Sequence, residues 1–181
     1  TGGSRPRQAR TGARHDMTRN TIIGEAIETL LSELVDGGTG GACYVLNPDD
    51  HGILRSLDRL SAAEASAAAP LGGASIAAHV DHVCYGFELL NRFAAGENAF
   101  DSADYSASWR RTEVSDEEWR ALRRRLRDEL TAWRAAVWHL DPDVPLHVTG
   151  AIASIVHLAY HLGAIRQINR AAAGPPAVPG I

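Results

Sequence analysis

"SIVHLAYHLGAIRQI", residues Ser154–Ile168, decides how the chain is read. His157 and His161 stand four positions apart in a segment that is otherwise an apolar helix. Side chains at that spacing stack on one face, so the two imidazoles can point at the same place. Ser154, Ile165 and Ile168 share that face, which therefore turns inward. Upstream the helix extends to Pro145, and downstream "GPPAVPG" cannot continue it.

Working outward from this helix, three more long helical stretches precede it. "SDEEWRALRRRLRDELTAWRAAVWHL" opens with Ser115 and Glu118, an S-x-x-E capping box in which each side chain satisfies the other residue's free amide. Trp119, Leu122, Leu126, Leu130 and Trp133 then recur at three- and four-residue steps, and the arginines between them form a solvated face. "SIAAHVDHVCYGFELLNRFAAG" predicts a helix from about Ser75 to Ala95, stopped at Gly96. "TRNTIIGEAIETLLSELV" predicts one from Thr18 to Val35, with Glu25, Glu28 and Glu33 off the apolar face and "DGGTGG" as terminator. Between them, "ACYVLNPDDHG" reads as a short extended segment and "ILRSLDRLSAAEASAAA" as one or two short helices. The expected fold is all-α, a four-helix bundle with short extra helices and long connections. Residues 1–17 read as a disordered tail, residues 18–174 as one domain and residues 175–181 as a C-terminal tail.

Composition supports this and narrows function. The 181 residues are 45% hydrophobic, enough for one core without a staple, while aromatics make only 6%. A net charge of −4 with interspersed arginines argues against nucleic acid as a partner. There is no uninterrupted run of 18 apolar residues and no signal-peptide pattern at the start, so the expectation is a cytoplasmic protein without a membrane partner. Cys43 and Cys84 lack a CxxC partner and read as reduced thiols.

Imidazole nitrogens suit Zn, Ni, Fe or Cu, but two of them make a weak site, so a third ligand must come from another helix. His15, His51, His139 and His147 fall in the tail, a loop or near helix ends. His79 and His82 on the second long helix remain: His79 shares the stripe of Ile76, Val83 and Phe87, and His82 lies on a less apolar one with Tyr85 and Leu89. Buried histidines hydrogen-bonded to other polar groups are the plain alternative.

"SIAAHVDHV" followed by "YGFELLNRF", then "SASWRR" and "HLAYHLGAIRQI", resembles the DinB-like superfamily, the DinB/YfiT-like metalloenzymes, over about Ile22 to Arg170. The resemblance implies a four-helix bundle, usually a homodimer, with a divalent metal on three histidines. Carried over, these are His79, His157 and His161, with His82 lining the pocket or exchanging roles with His79. Ala164 stands where many members have Gln, a difference in pocket detail. It further implies a small-molecule substrate and chemistry that is thiol-dependent transfer, with a low-molecular-weight thiol as cosubstrate, or hydrolysis, since an open position on Zn or Ni can ionise water or a thiol. A metal-stabilised dimeric bundle without catalysis, or a stress-related binding protein, is the competing function. Tyr85 and Tyr160 offer hydroxyls near such a site, and Arg166 a cation for a substrate carboxylate or for an ion pair with another helix. Asp81 and Glu88 are weak candidates to orient a ligand, and Cys84 reads as an inert core thiol.

Overall fold

Six α-helices and no strand make up the described residues of the computed structural model, which are 8–38, 43–69 and 72–175, with side chains described from residue 21 onward. The helices are α1 (Gln8–Asp36), α2 (Gly52–Asp58), α3 (Ala62–Ser66), α4 (Ile76–Ala94), α5 (Asp116–Ala136) and α6 (Pro145–Ile168). Single 3-10 turns occur at Ala107–Trp109, Val137–His139 and Arg170–Ala172. The four long helices share one apolar core: α4 lies against α5 and α6, and α1 closes on α6 and α2.

Local sequence explains the boundaries. Ser75 caps α4 by accepting the Ala78 N–H, and Gly96, at φ +89°, ends the segment in a conformation that suits glycine. Ser115 and Glu118 form the expected capping box of α5. α1 begins at Gln8, so residues 8–17, expected as tail, continue the helix; lengthening an existing helix through Ala and Arg costs little once a nucleus exists. Residues 39–42, and residues 1–7 and 176–181 of the expected tails, lie outside the described residues.

The core face of α5 is the one read from its periodicity, with Trp119, Leu122, Leu126, Leu130 and Trp133 all buried. Each such side chain contributes on the order of 1.5–3 kcal/mol relative to exposure. Both indoles find acceptors: Trp119 Nε1 donates to the Leu60 carbonyl at 2.8 Å and Trp133 Nε1 to Ser154 Oγ at 2.9 Å. Ser154 passes its own proton to the Ala151 carbonyl, so it works as packing glue between α5 and α6.

Two departures concern charged groups. Glu33, expected on the polar face of the first helix, is buried, because its carboxylate accepts the backbone N–H groups of Tyr44, Val45 and Leu46 at 2.6–3.1 Å. Those amides therefore bend around a carboxylate instead of forming the extended segment expected there. Arg166 grips Asp50 with both terminal nitrogens, at 2.5 and 3.0 Å, tying the loop before α2 to the end of α6.

α6 is apolar all round. By length and composition, at a mean hydropathy of 1.5, it is long and apolar enough to cross a membrane, although no single stretch is unbroken. Ala151, Ile155, Leu158, Leu162 and Ile165 supply its buried side, while Leu146, Ile152, Val156 and Tyr160 are exposed.

Candidate metal centre

α4 and α6 cross so that their histidines meet. His79 and His82 come from the first two turns of α4, and His157 and His161 from adjacent turns of α6. His161 Nε2 is 2.9 Å from His157 Nε2, which is 3.2 Å from His82 Nε2. The three ring nitrogens thus converge on one point, in an arrangement that could hold a metal ion.

Tetrahedral coordination at metal–nitrogen distances of about 2.0–2.1 Å places ligand nitrogens about 3.3 Å apart. The contacts of 2.9 and 3.2 Å fall short of that by a few tenths of an ångström, within the reach of small χ adjustments, so the residues fit the group. His79 occupies a different place. Its Nδ1 lies 2.9 Å from His161 Nδ1, on the far side of that ring from the convergence point. The α4 residue that converges with the α6 pair is therefore His82, while His79, carried over as a ligand from the resemblance, lies against the Nδ1 side of His161. Helical geometry gives the reason: His79 shares the deepest stripe of α4 with Ile76 and Val83, while His82 is turned toward the rim and is only partly buried.

Burial keeps the cluster neutral. Desolvation first, and then the mutual repulsion of the neighbouring imidazoles, pushes His161 down to about 3 and His82 down to about 4. Desolvation also lowers His79 and His157. At neutral pH every ring therefore has a lone pair to offer, as metal binding requires.

The loop between α4 and α5 builds the wall. Trp109 stacks on His82, with ring centroids 4.3 Å apart and planes 23° from parallel, and meets His79 edge-on at 5.2 Å. Ser108, buried beside it, has its Oγ 2.8 Å from His82 Nδ1. Asp104 folds this loop by accepting from Ser106 and Ala107, and its own N–H donates to the Tyr85 hydroxyl at 2.9 Å. Gly86 leaves room for His157, since a Cβ there would come within 3.2 Å of that ring's Cε1.

The other expected residues divide. Tyr85 sits near the cluster but is spent on the loop. Tyr160 meets His161 edge-on at 5.0 Å, yet most of its ring is exposed, on an apolar surface shared by Thr149, Ile152, Ala153, Val156 and His157. Arg166 is committed to Asp50 and stays outside the cluster, so of the two roles open to it the ion pair is the one observed. Asp81 pairs with Arg111 and Arg125, and Glu88 with Arg125, so neither orients a histidine. Cys84 is fully buried, and desolvation pushes its thiol up to about 12, which makes it inert. Ser108 and Trp109 lie in a polar connection, where neither carries a spacing signal that would mark it for the cluster.

No family model, curated protein or solved structure matches the chain.

Proposed function

We propose that the chain is a metal-dependent enzyme of the DinB-like kind, a four-helix bundle that holds Zn or Ni on His82, His157 and His161. The single observation that carries this is the convergence of three neutral Nε2 atoms from two helices, walled on one side by Trp109. A divalent ion there would supply Lewis acidity sufficient to ionise water or a thiol near neutral pH. The reaction class is thiol-dependent group transfer or hydrolysis on a small molecule.

The chain's own groups do the rest. His82 and His157 lie nearer the rim than His161 and leave the cluster approachable from outside, whereas Trp109 closes the side toward the connecting loop. The apolar surface of Ile152, Ala153, Val156 and Tyr160 borders His157 and suits an apolar portion of a substrate.

That same surface favours a second reading, in which the ion ties together a bundle whose task is to dimerise. Leu146, Ile152, Val156 and Tyr160 leave an apolar stripe along α6 exposed. Elemental analysis of protein purified without a nickel column tests the metal: bound Zn or Ni in the wild type and none in His157→Ala supports the site, and equal content in both overturns it. Turnover of electrophiles with a low-molecular-weight thiol, or of hydrolysable esters and amides, separates the enzyme from the dimerising bundle.

A further inference from the structure

Ser108 Oγ has one proton and two close neighbours. The Tyr105 carbonyl oxygen lies at 2.8 Å and His82 Nδ1 at 2.8 Å. A carbonyl can only accept, so the hydroxyl proton goes to Tyr105, and the same oxygen must accept from His82. His82 therefore carries its proton on Nδ1 and presents a bare lone pair at Nε2.

The consequence runs through the other rings. His157 Nε2, 3.2 Å from that lone pair, must supply the proton of the contact. The proton also faces His161 Nε2 at 2.9 Å, and two N–H groups cannot face each other at that distance. Neutral His161 thus keeps its lone pair at Nε2 and its proton at Nδ1. From there it donates to His79 Nδ1 at 2.9 Å, which leaves the His79 proton on Nε2.

We infer that Ser108 is a positioning residue which, through one hydroxyl proton, sets the tautomers of all four imidazoles and so preforms two of the three lone pairs aimed at the convergence point. Only His157 must move its proton, from Nε2 to Nδ1, a change that leaves the ring neutral. His79 completes the arrangement from the deep side as the acceptor that holds the His161 proton away from the site. The fold invests in the position of this serine: Asp104 shapes the turn, and Tyr85 anchors Asp104 to α4 one turn beyond His82. The functional meaning of the inference rests on the metal reading above, whereas the tautomer assignment stands on the hydrogen bonds alone.

Long-range ¹H–¹⁵N NMR of the metal-free full chain at pH 7.5 reads the tautomers directly. The expected pattern is a proton on Nδ1 of His82 and His161 and on Nε2 of His157 and His79. In Ser108→Ala, His82 shifts to the Nε2–H form, and Zn²⁺ affinity, measured by chelator competition, falls by about ten- to a hundredfold. Ser108→Thr keeps the hydroxyl and restores both. A wild-type His82 protonated at Nε2 overturns the inference, as does an alanine variant with unchanged tautomer and unchanged affinity. If Ser108→Ala does not fold, the wild-type spectrum and the threonine variant still decide. The two readings also fail separately: a wild type with the expected tautomers and no Zn²⁺ binding removes the metal, while Zn²⁺ binding with the opposite His82 tautomer removes the role of Ser108.

Discussion

His79 Nδ1 and His161 Nδ1 lie 2.9 Å apart, so the deepest imidazole of α4 touches the ring of its α6 neighbour on the side away from the convergence point. That contact separates two kinds of histidine in one cluster. His82→Ala, His157→Ala and His161→Ala each remove a converging nitrogen, and metal content measured by mass spectrometry should fall to background. His79→Ala removes a supporting contact, and its Zn²⁺ affinity should drop by about ten- to a hundredfold with binding still detectable. Equal loss in all four variants would place His79 among the ligands.

Acid should destabilise the metal-free protein over a defined window. His82 and His161 are held near 4 and 3 in the folded state, below the ordinary histidine value of about 6.5. Above about pH 6.5 both states are neutral and stability is independent of these groups. As the pH falls below that value the unfolded chain takes up protons that the folded cluster refuses, so stability declines until pH 3–4. Thermal melts between pH 7.5 and 4 should show the decline, and His161→Gln should flatten it.

Gly86→Ala should set helix stability against metal affinity. Alanine is favoured over glycine within a helix by about 1 kcal/mol, so the metal-free melting temperature should hold or rise. The new Cβ presses on His157 at 3.2 Å from Cε1 and displaces its Nε2. Zn²⁺ affinity should fall by about tenfold, a typical cost for a change just outside the ligands. Equal affinity in the variant would mean that His157 can retreat without leaving the site.

Arg166→Ala should damage the fold and spare the cluster. Asp50 is almost fully buried, and Arg166 is its only salt-bridge partner among the described residues. Leaving that carboxylate without a cation, with only the Gly52 N–H still donating to it, should cost about 3 kcal/mol in urea unfolding, with Zn²⁺ stoichiometry intact. A variant of normal stability that had lost substrate binding would return Arg166 to the pocket role considered from sequence.

Ile152→Glu and Val156→Glu test assembly. Both side chains are exposed on α6 and neither contributes to the core, so the folded monomer should tolerate a charge at either site. If α6 pairs with a second copy, light scattering should show a dimer for the wild type and a monomer for the variants. A wild-type monomer would leave the stripe to substrate.

The long helices were legible because their signals are local: the Ser115–Glu118 box, the stop at Gly96 and the step of Leu122, Leu126 and Leu130 are each written within one or two turns. The α6 pair was legible for the same reason. The partner from α4 was not, because choosing between His79 and His82 depends on how far one helix is rotated against another, a property of the whole core. Ser108 and Glu33 are harder still. Each acts across a connection on backbone or ring atoms that no periodicity announces, and Glu33 keeps company with amides eleven to thirteen residues away.

The flat contact between the Trp109 indole and His82 also equips the protein with its own optical gauge. Emission from an indole lying on an imidazole dims when that imidazole gains a proton or when a paramagnetic ion such as Ni²⁺ arrives nearby. The difference in fluorescence between the wild type and Trp109→Phe therefore isolates a reporter sitting on the cluster from the background of Trp119 and Trp133 in the core and of Trp138 at the surface. Occupancy and acid titration can then be followed in dilute solution, without a label and without knowing the substrate.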